Sequence, residues 1–271
     1  MQNNSPGTAR GQCFIGGLWR EATGAAFERR DPWYGRLLWQ GREAAPRDVG
    51  DAVVVPSLHA LGVRELDRLM ISHLDDDHAG GRDSVLQAFP DAAQSVGNDA
   101  DPAPRCEAGQ QWTWDGVDFA VLHPPQHFPD LDNDNSCVLR IGSSNGSALL
   151  PGDIGALIEQ RLVREQRSAI DVDVVVAAHH GSKHSSSAEF VTATSAETVV
   201  FARGWRNRFG HPAPEIAARW QESGAAVADT AAQGAIRVTF STHGPVLDAE
   251  RDRSTVFWRE HGSDQPASAT R

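Results

Sequence analysis

The chain has 271 residues, 25 Lys+Arg against 36 Asp+Glu and a formal net charge of −11, with 40% hydrophobic and 23% charged residues. These are the proportions of a folded globular protein and exclude disorder of the whole chain, while the acidic balance excludes a broad basic face for nucleic acid. No apolar run approaches the ~20 residues of a membrane helix, and residues 1–10 are polar, without the apolar core of a secretory signal.

Taken in chain order, residues 1–47 show no steady period of 2 or 3.6 and are set apart as an atypical N-terminal segment. Residues 48–245 read as one domain. The spacing predicts a helix over 51–61, with Val54, Leu58 and Leu61 on one face and Gly62 as its cap. An apolar run at 66–72 predicts a buried strand ending in a polar loop at 73–77, and a helix over 84–89 follows Gly80-Gly81. A hairpin is expected over 114–123 around Asp115-Gly116, and a second from 136–141 and 147–150. Then come a helix over 154–166, an interior strand at 172–178, a strand at 198–202, a helix over 215–223 and a last strand at 235–240. Residues 246–271 read as a C-terminal extension with a polar tail. Cys13, Cys106 and Cys137 are odd in number and far apart, which predicts neither a disulfide framework nor a cysteine zinc site.

Histidine is the unusual residue, 11 in all, with six in three short segments. The first, His73-Leu74-Asp75-Asp76-Asp77-His78, follows an apolar strand, so imidazoles and carboxylates can turn toward one centre; a borderline divalent cation accepts both. The competing reading is an acidic turn capping the next helix. The second signal is Pro151-Gly152-Asp153 at a strand end, a common turn that also offers a carboxylate able to bridge two cations. The third is His179-His180-Gly181-Ser182-Lys183, where adjacent histidines end a buried strand; Ser182 and Lys183, the sole lysine, suit an anionic ligand. In the fourth, Arg203, Arg206 and Arg208 alternate with Trp205 and Phe209, a pattern equally suited to phosphates and bases or to a solvated loop.

These segments, in this order, resemble the metallo-β-lactamase superfamily and, more narrowly, the C-terminal domain of the ComEC/Rec2 competence proteins. The similarity is carried by Ser72 through Gly81, by Asn133-Asp134-Asn135-Ser136-Cys137-Val138-Leu139, by Leu150-Pro151-Gly152-Asp153, by His179 through Lys183, and by Asn207-Arg208-Phe209-Gly210-His211-Pro212. It covers about residues 48–240. The resemblance implies an α+β fold, a four-layer αββα sandwich with a metal site along one edge. It also implies two divalent ions, Mn²⁺ or Zn²⁺ with Mg²⁺ as a third option. His73 and Asp75 would serve one ion, Asp77 and His78 the other, with Asp153 bridging and either His179 or His180 completing the set. Asn133, Asn135 and Ser136 stand where the superfamily has a further histidine, and with Ser182, Lys183, Arg206, Asn207, Arg208 and His211 they form the expected substrate-binding set. The family's first hairpin carries Asp-Val-Gly-Gln-Gly and a further aspartate; residues 1–47 lack both, so that hairpin is expected to be incomplete.

The activity implied is metal-dependent hydrolysis of DNA phosphodiesters during DNA uptake, with Asp77 and Asp153 as the catalytic carboxylates. The implied partners are DNA, as a single strand, and a membrane channel domain or another protein of the uptake machinery. The implied location is the extracytoplasmic side of a membrane. Two rival expectations are a lactonase- or glyoxalase-like hydrolase of small molecules and a DNA-binding module without catalysis.

Overall fold

A computed structural model describes residues 48–97 and 102–253, together with the backbone of four strands nearer the N-terminus. Those strands are β1 (Gln12–Ile15), β2 (Leu18–Glu21), β3 (Ala26–Arg30) and β4 (Leu37–Arg42), paired as two antiparallel hairpins, β1–β2 and β3–β4. Hairpins therefore form where the sequence shows no strand period. Of the C-terminal extension expected over 246–271, residues 254–271 lie outside the described residues.

The chain divides into two compact units, one of Met1–Asp67 with Gly80–Ala93 and one of Arg68–Ala79 with Gln94–Arg271. In the first, a π-helical turn (Gly50–Val54) runs into α1 (Val55–Ala60). Pro56 has no N–H to bond back to Ala52, so the regular ladder cannot run through this point. The Asp48 carboxylate accepts from the Asp51 amide at 2.9 Å and the Ser84 hydroxyl at 2.6 Å, tying this turn to helix Arg82–Ala88. The helix expected over 51–61 is thus present, but its apolar face is not buried: Val54 and Leu61 are 38% and 62% exposed.

The second unit opens with β5 (Arg68–Ile71), which pairs with β6 (Ala93–Val96), and with the single turn α2 (Asp76–Ala79). Counting helix Arg82–Ala88 as α3, its further helices are α4 (Ala156–Glu165), α5 (Arg167–Ile170), α6 (Ala188–Thr194), α7 (Pro214–Glu222) and the single turns α8 (Thr230–Gln233) and α9 (Glu250–Arg253). Its centre is a seven-stranded mixed sheet of β7 (Gln111–Trp114), β8 (Val117–His123), β9 (Val138–Ser143), β10 (Gly146–Leu150), β11 (Val174–Val176), β12 (Thr198–Phe201) and β13 (Ala226–Asp229), in spatial order from β13 down to β7. Strands β7 to β10 form an antiparallel meander, and β10 to β13 run parallel. The β7–β8 turn has Asp115 and Gly116 at φ of 49° and 79°, the pair of positive values a tight hairpin demands.

One face of the sheet is covered by helices: Leu149, Val175 and Val199 pack with Ile158 and Leu162 of α4, Phe190 of α6 and Trp220 of α7, all almost fully buried. Removing these large apolar side chains from water is the main stabilising contribution. On the other face Val174, Val200 and Ala228 lie under a hairpin of β14 (Ile236–Ser241) and β15 (Gly244–Ala249), through Ile236, Val238, Phe240 and Leu247. Strand β15 crosses the 245/246 boundary expected from sequence. These helix, sheet and strand layers form the expected α+β sandwich. Against the cysteine arithmetic, Cys106 and Cys137 are joined by a disulfide across 31 residues and share a small core with Val121 and Met70. Spacing along the chain carries no record of that approach.

Candidate metal centre

The site is built where strands end. Beyond β5 the chain turns through Ser72 and His73 into α2; beyond β10 it turns at Gly152 into Asp153; beyond β11 it enters a short 3-10 turn, Ala178–Gly181, that carries His179 and His180. Gly152 has φ of +60°, and a Cβ there would stand 2.7 Å from the Ser136 Cβ, so a side chain would displace the segment that holds Asp153. His179 and His180 both adopt left-handed backbone, φ 48° and 54°. Adjacent non-glycine residues in that region are costly and mark places where side-chain aim matters more than backbone comfort. Both rings consequently turn toward Asp153.

Six of the seven expected metal ligands converge directly. His78 Nε2 lies 3.2 Å from Asp153 Oδ1 and 3.1 Å from His180 Nε2. His180 Nε2 lies 3.5 Å from Asp153 Oδ2 and 3.4 Å from Asp77 Oδ2, and His179 Nε2 is 3.8 Å from Asp153 Oδ2. His73 joins through its ring, whose centroid is 4.1 Å from that of His78. The seventh, Asp75, reaches His73 Nε2 at 3.7 Å. Two donor groups suited to a cation result, His73–His78–Asp153 and Asp77–His78–His180. Of the two adjacent histidines, His180 belongs to one of these groups, and His179 approaches only Asp153 among their members.

The ring orientations follow from the outer contacts. His180 Nδ1 donates to the Ala202 carbonyl at 2.6 Å, which turns Nε2 toward the cluster. The Ser72 hydroxyl lies 2.9 Å from His78 Nδ1 and 3.1 Å from His73 Nδ1, and Ser136 Oγ lies 3.2 Å from His73 Nδ1. His73 Nε2 is buried with no hydrogen-bond partner among the described residues. An orphaned imidazole nitrogen beside carboxylates is the environment a divalent cation completes, and the mixed nitrogen and oxygen donors suit such an ion.

Electrostatics agree. For Asp153, burial opposes ionisation, but the His78 hydrogen bond and the charges of His78, His180 and His179 outweigh it and hold the pKa below the usual value. For His78, burial opposes charge, yet Asp153, Asp77 and Asp75 raise its pKa. Burial, reinforced by His78, lowers that of His73.

The expected substrate set divides. The Asn133 amide lies 3.4 Å from His179 Nε2, Lys183 is exposed, and His211 places its ring 5.8 Å from that of His179. Arg206 and Arg208 are exposed, each beside an aromatic ring. The others are engaged within the fold. Asn135 is buried, donating to Asp130 at 2.6 Å and accepting from the Leu131 amide at 3.2 Å. Ser136 is buried and its Oγ accepts from the Asp153 amide at 2.9 Å. Ser182 is buried, and Asn207 closes its own loop by two bonds to the His211 backbone, of 2.8 and 2.9 Å. An asparagine or serine that faces substrate and one that closes a loop look the same in sequence.

Sequence reasoning passed over three supports. Ser72 precedes the first histidine and bridges two rings; its place in that motif was the available signal. Asp134 accepts from the Gly155 amide at 2.7 Å, fixing the backbone beyond Asp153. Glu159, wholly buried on α4, accepts from the Ser186 amide and from the Ser187 amide at 2.7 Å, anchoring the loop after His180. Burial raises its pKa against those bonds.

The sequence pattern of the Metallo-beta-lactamase superfamily matches residues 33–204. Competence protein ComA of Neisseria gonorrhoeae is 36% identical over 207 residues, 76% of this chain and 29% of that protein. Recombination protein 2 of Haemophilus influenzae is 31% identical over 206 residues, 74% of this chain and 25% of that protein. ComE operon protein 3 of Bacillus subtilis is 27% identical over 236 residues, 78% of this chain and 30% of that protein. The chain thus spans less than a third of the length of these relatives. Among the described residues no helix is long and apolar enough to cross a membrane.

Proposed function

The chain belongs to the metallo-β-lactamase superfamily, and from that premise we propose that it is a two-metal phosphodiesterase that cuts DNA, presented as a single strand, during DNA uptake. The observation that carries this reading is the pair of donor groups sharing His78, with Asp153 presenting one oxygen to His78 and the other to His179 and His180. By that arrangement Asp77, His78 and His180 would hold one ion and His73, with Asp75 beside it, the other, with Asp153 facing both. Divalent ions held there supply Lewis acidity toward phosphate and an acidified water near neutral pH.

The remaining work falls to the chain. Ser72, Ser136 and the Ala202 carbonyl fix the imidazoles so that their Nε2 atoms face inward. Asp77, exposed at the mouth of the cluster, is placed to orient the attacking water and receive its proton. Lys183, Arg206 and Arg208 offer positive charge to neighbouring phosphates, in a chain whose bulk charge repels them. The competence and recombination proteins it resembles support a role in DNA uptake beside a membrane channel domain or protein. The Cys106–Cys137 disulfide supports the extracytoplasmic side, where such bonds persist.

The test is cleavage of a single-stranded oligonucleotide by the purified chain in Mn²⁺. Cleavage that EDTA removes is expected; no cleavage in Mn²⁺, Zn²⁺ or Mg²⁺ contradicts the proposal. One observation favours a second reading, a small-molecule hydrolase. A cavity of about 300 Å³ adjoins His78, Asp153 and His180 and is lined mostly by apolar residues, among them Met70, Ile71, Leu139, Leu150 and Val176. Turnover of a lactone or thioester without oligonucleotide cleavage would select it.

A further inference from the structure

The loop 204–211 presents its aromatic side chains to solvent, against the ordinary tendency of such rings to be buried. Phe209 is 63% exposed and Trp205 44%, so each leaves much apolar surface in water. The loop that holds them is well tied. The Asn207 amide is bonded twice to the His211 backbone, and the Arg203 guanidinium is fixed on the Asp229 carboxylate at 2.6 and 2.8 Å. The Arg203 amide also donates to the Thr230 hydroxyl at 2.9 Å. Exposure here is a property of a held loop rather than of a frayed one.

The position of Phe209 is the second observation. Phe209 lies nearly parallel to His211, 14° between planes and 5.8 Å between centroids, and His211 lies 5.8 Å from His179. Two ring contacts therefore lead from Phe209 to a histidine that faces Asp153. The third observation is charge. The Arg208 guanidinium stands 4.8 Å from the Phe209 centroid and that of Arg206 5.8 Å from the Trp205 ring. Each exposed ring is accompanied by a cation, in a chain of net charge −11. A ring for a flat π-face and a guanidinium for a phosphate is the pairing that single-stranded nucleic acid requires, and an apolar protein partner has no use for the cations.

We propose that Phe209, with Trp205 on the same loop, forms a base-stacking lip at the mouth of the metal centre, so that the site receives unpaired strands. The inference rests on the phosphodiesterase reading and adds to it the feature that selects the strand. In a duplex the base faces are already stacked on their neighbours; only an unpaired base has a face to offer the ring. The arginines hold the backbone while the rings hold the bases.

The experiment compares, in Mn²⁺, an oligothymidylate with an abasic oligomer of the same length, which keeps every phosphate and loses every base. The full chain is expected to show a KM for the abasic oligomer about tenfold above that for oligothymidylate, the order of effect of one stacked base. In Phe209→Ala this ratio should collapse toward unity, and Phe209→Trp should restore it. A ratio unchanged in Phe209→Ala overturns the lip while leaving the phosphodiesterase reading intact. So does an equal loss on both oligomers, which marks a purely structural role. No cleavage of either oligomer by the unaltered chain overturns the phosphodiesterase reading itself, and the lip with it.

Discussion

Segments 73–78 and 130–136 are both short, polar and acidic, and both adjoin strand ends in the second unit, yet they spend their side chains differently. In the first, Asp77 and His78 point into a shared centre with Asp153 and His180, and the backbone is left to ordinary helical bonds within α2. In the second, Asn135 is occupied by Asp130 and Leu131, Asp134 holds the Gly155 amide, and the Asp134 carbonyl accepts from His123 at 2.8 Å. The first segment exposes its donors to one another; the second satisfies its own backbone and its neighbours'. A cluster of nitrogen and oxygen donors gathered on one centre suits a cation, whereas a network that ties backbone to side chain is a frame.

The widest test of this contrast is Asp153→Ala. It removes the carboxylate on which three histidines converge and should lower metal-dependent turnover by more than about a hundredfold, beyond the range for an outer residue. A loss under tenfold, measured as kcat/KM with Mn²⁺ saturating, would break the comparison from the donor side.

A pH effect on the frame comes next. Burial, partly offset by the bond to the Asp134 carbonyl, lowers the His123 pKa from 6.5 to about 4. Between those values the unfolded chain binds a proton that the folded protein refuses, so stability falls as pH drops from about 6.5 toward 4. The full contribution is about 3 kcal/mol, all of it present above pH 6.5. Chemical denaturation across that window should show the loss, and His123→Gln, which keeps an N–H donor, should flatten this part of the slope.

Ser136→Ala sharpens the boundary, because Ser136 belongs to the frame yet touches His73 and Asp153. Metal affinity or activity should fall about tenfold to a hundredfold with little change in the fold. Asn135→Ala carries the smallest effect. It removes the acceptor of the Leu131 amide and one donor to Asp130 and should cost about 1–2 kcal/mol of stability, with turnover per folded molecule kept. Lost turnover at full folding would place Asn135 at the substrate instead.

The contrast also explains what could be read from sequence. The donor segments were legible because each combines an apolar run, which fixes a strand, with ligand-type residues at the position where that strand must end. Asp153 was legible for the same reason, as were β10, β11 and their connections. The role of Asn135 was not, since its partners lie within five residues and leave no pattern distinct from a substrate contact. Glu159 was hidden because on α4 it looks like one more solvated acid; only the return of Ser186 and Ser187 over that helix makes it a buried anchor. The disulfide was hidden because Cys106 and Cys137 approach only once the chain from β5 to β9 is folded. The apolar face predicted for 51–61 failed in the other direction: periodicity proposed burial that Val54 and Leu61 do not find.

The claim beneath all of this is that the strand-end donors form a two-ion centre bridged by Asp153. Calorimetric titration of the metal-stripped chain with Mn²⁺ measures it most directly. The account predicts two ions bound per chain, and at most one, more weakly, in Asp153→Ala. Absence of binding by the unaltered chain, or the same stoichiometry and affinity in Asp153→Ala, would contradict it.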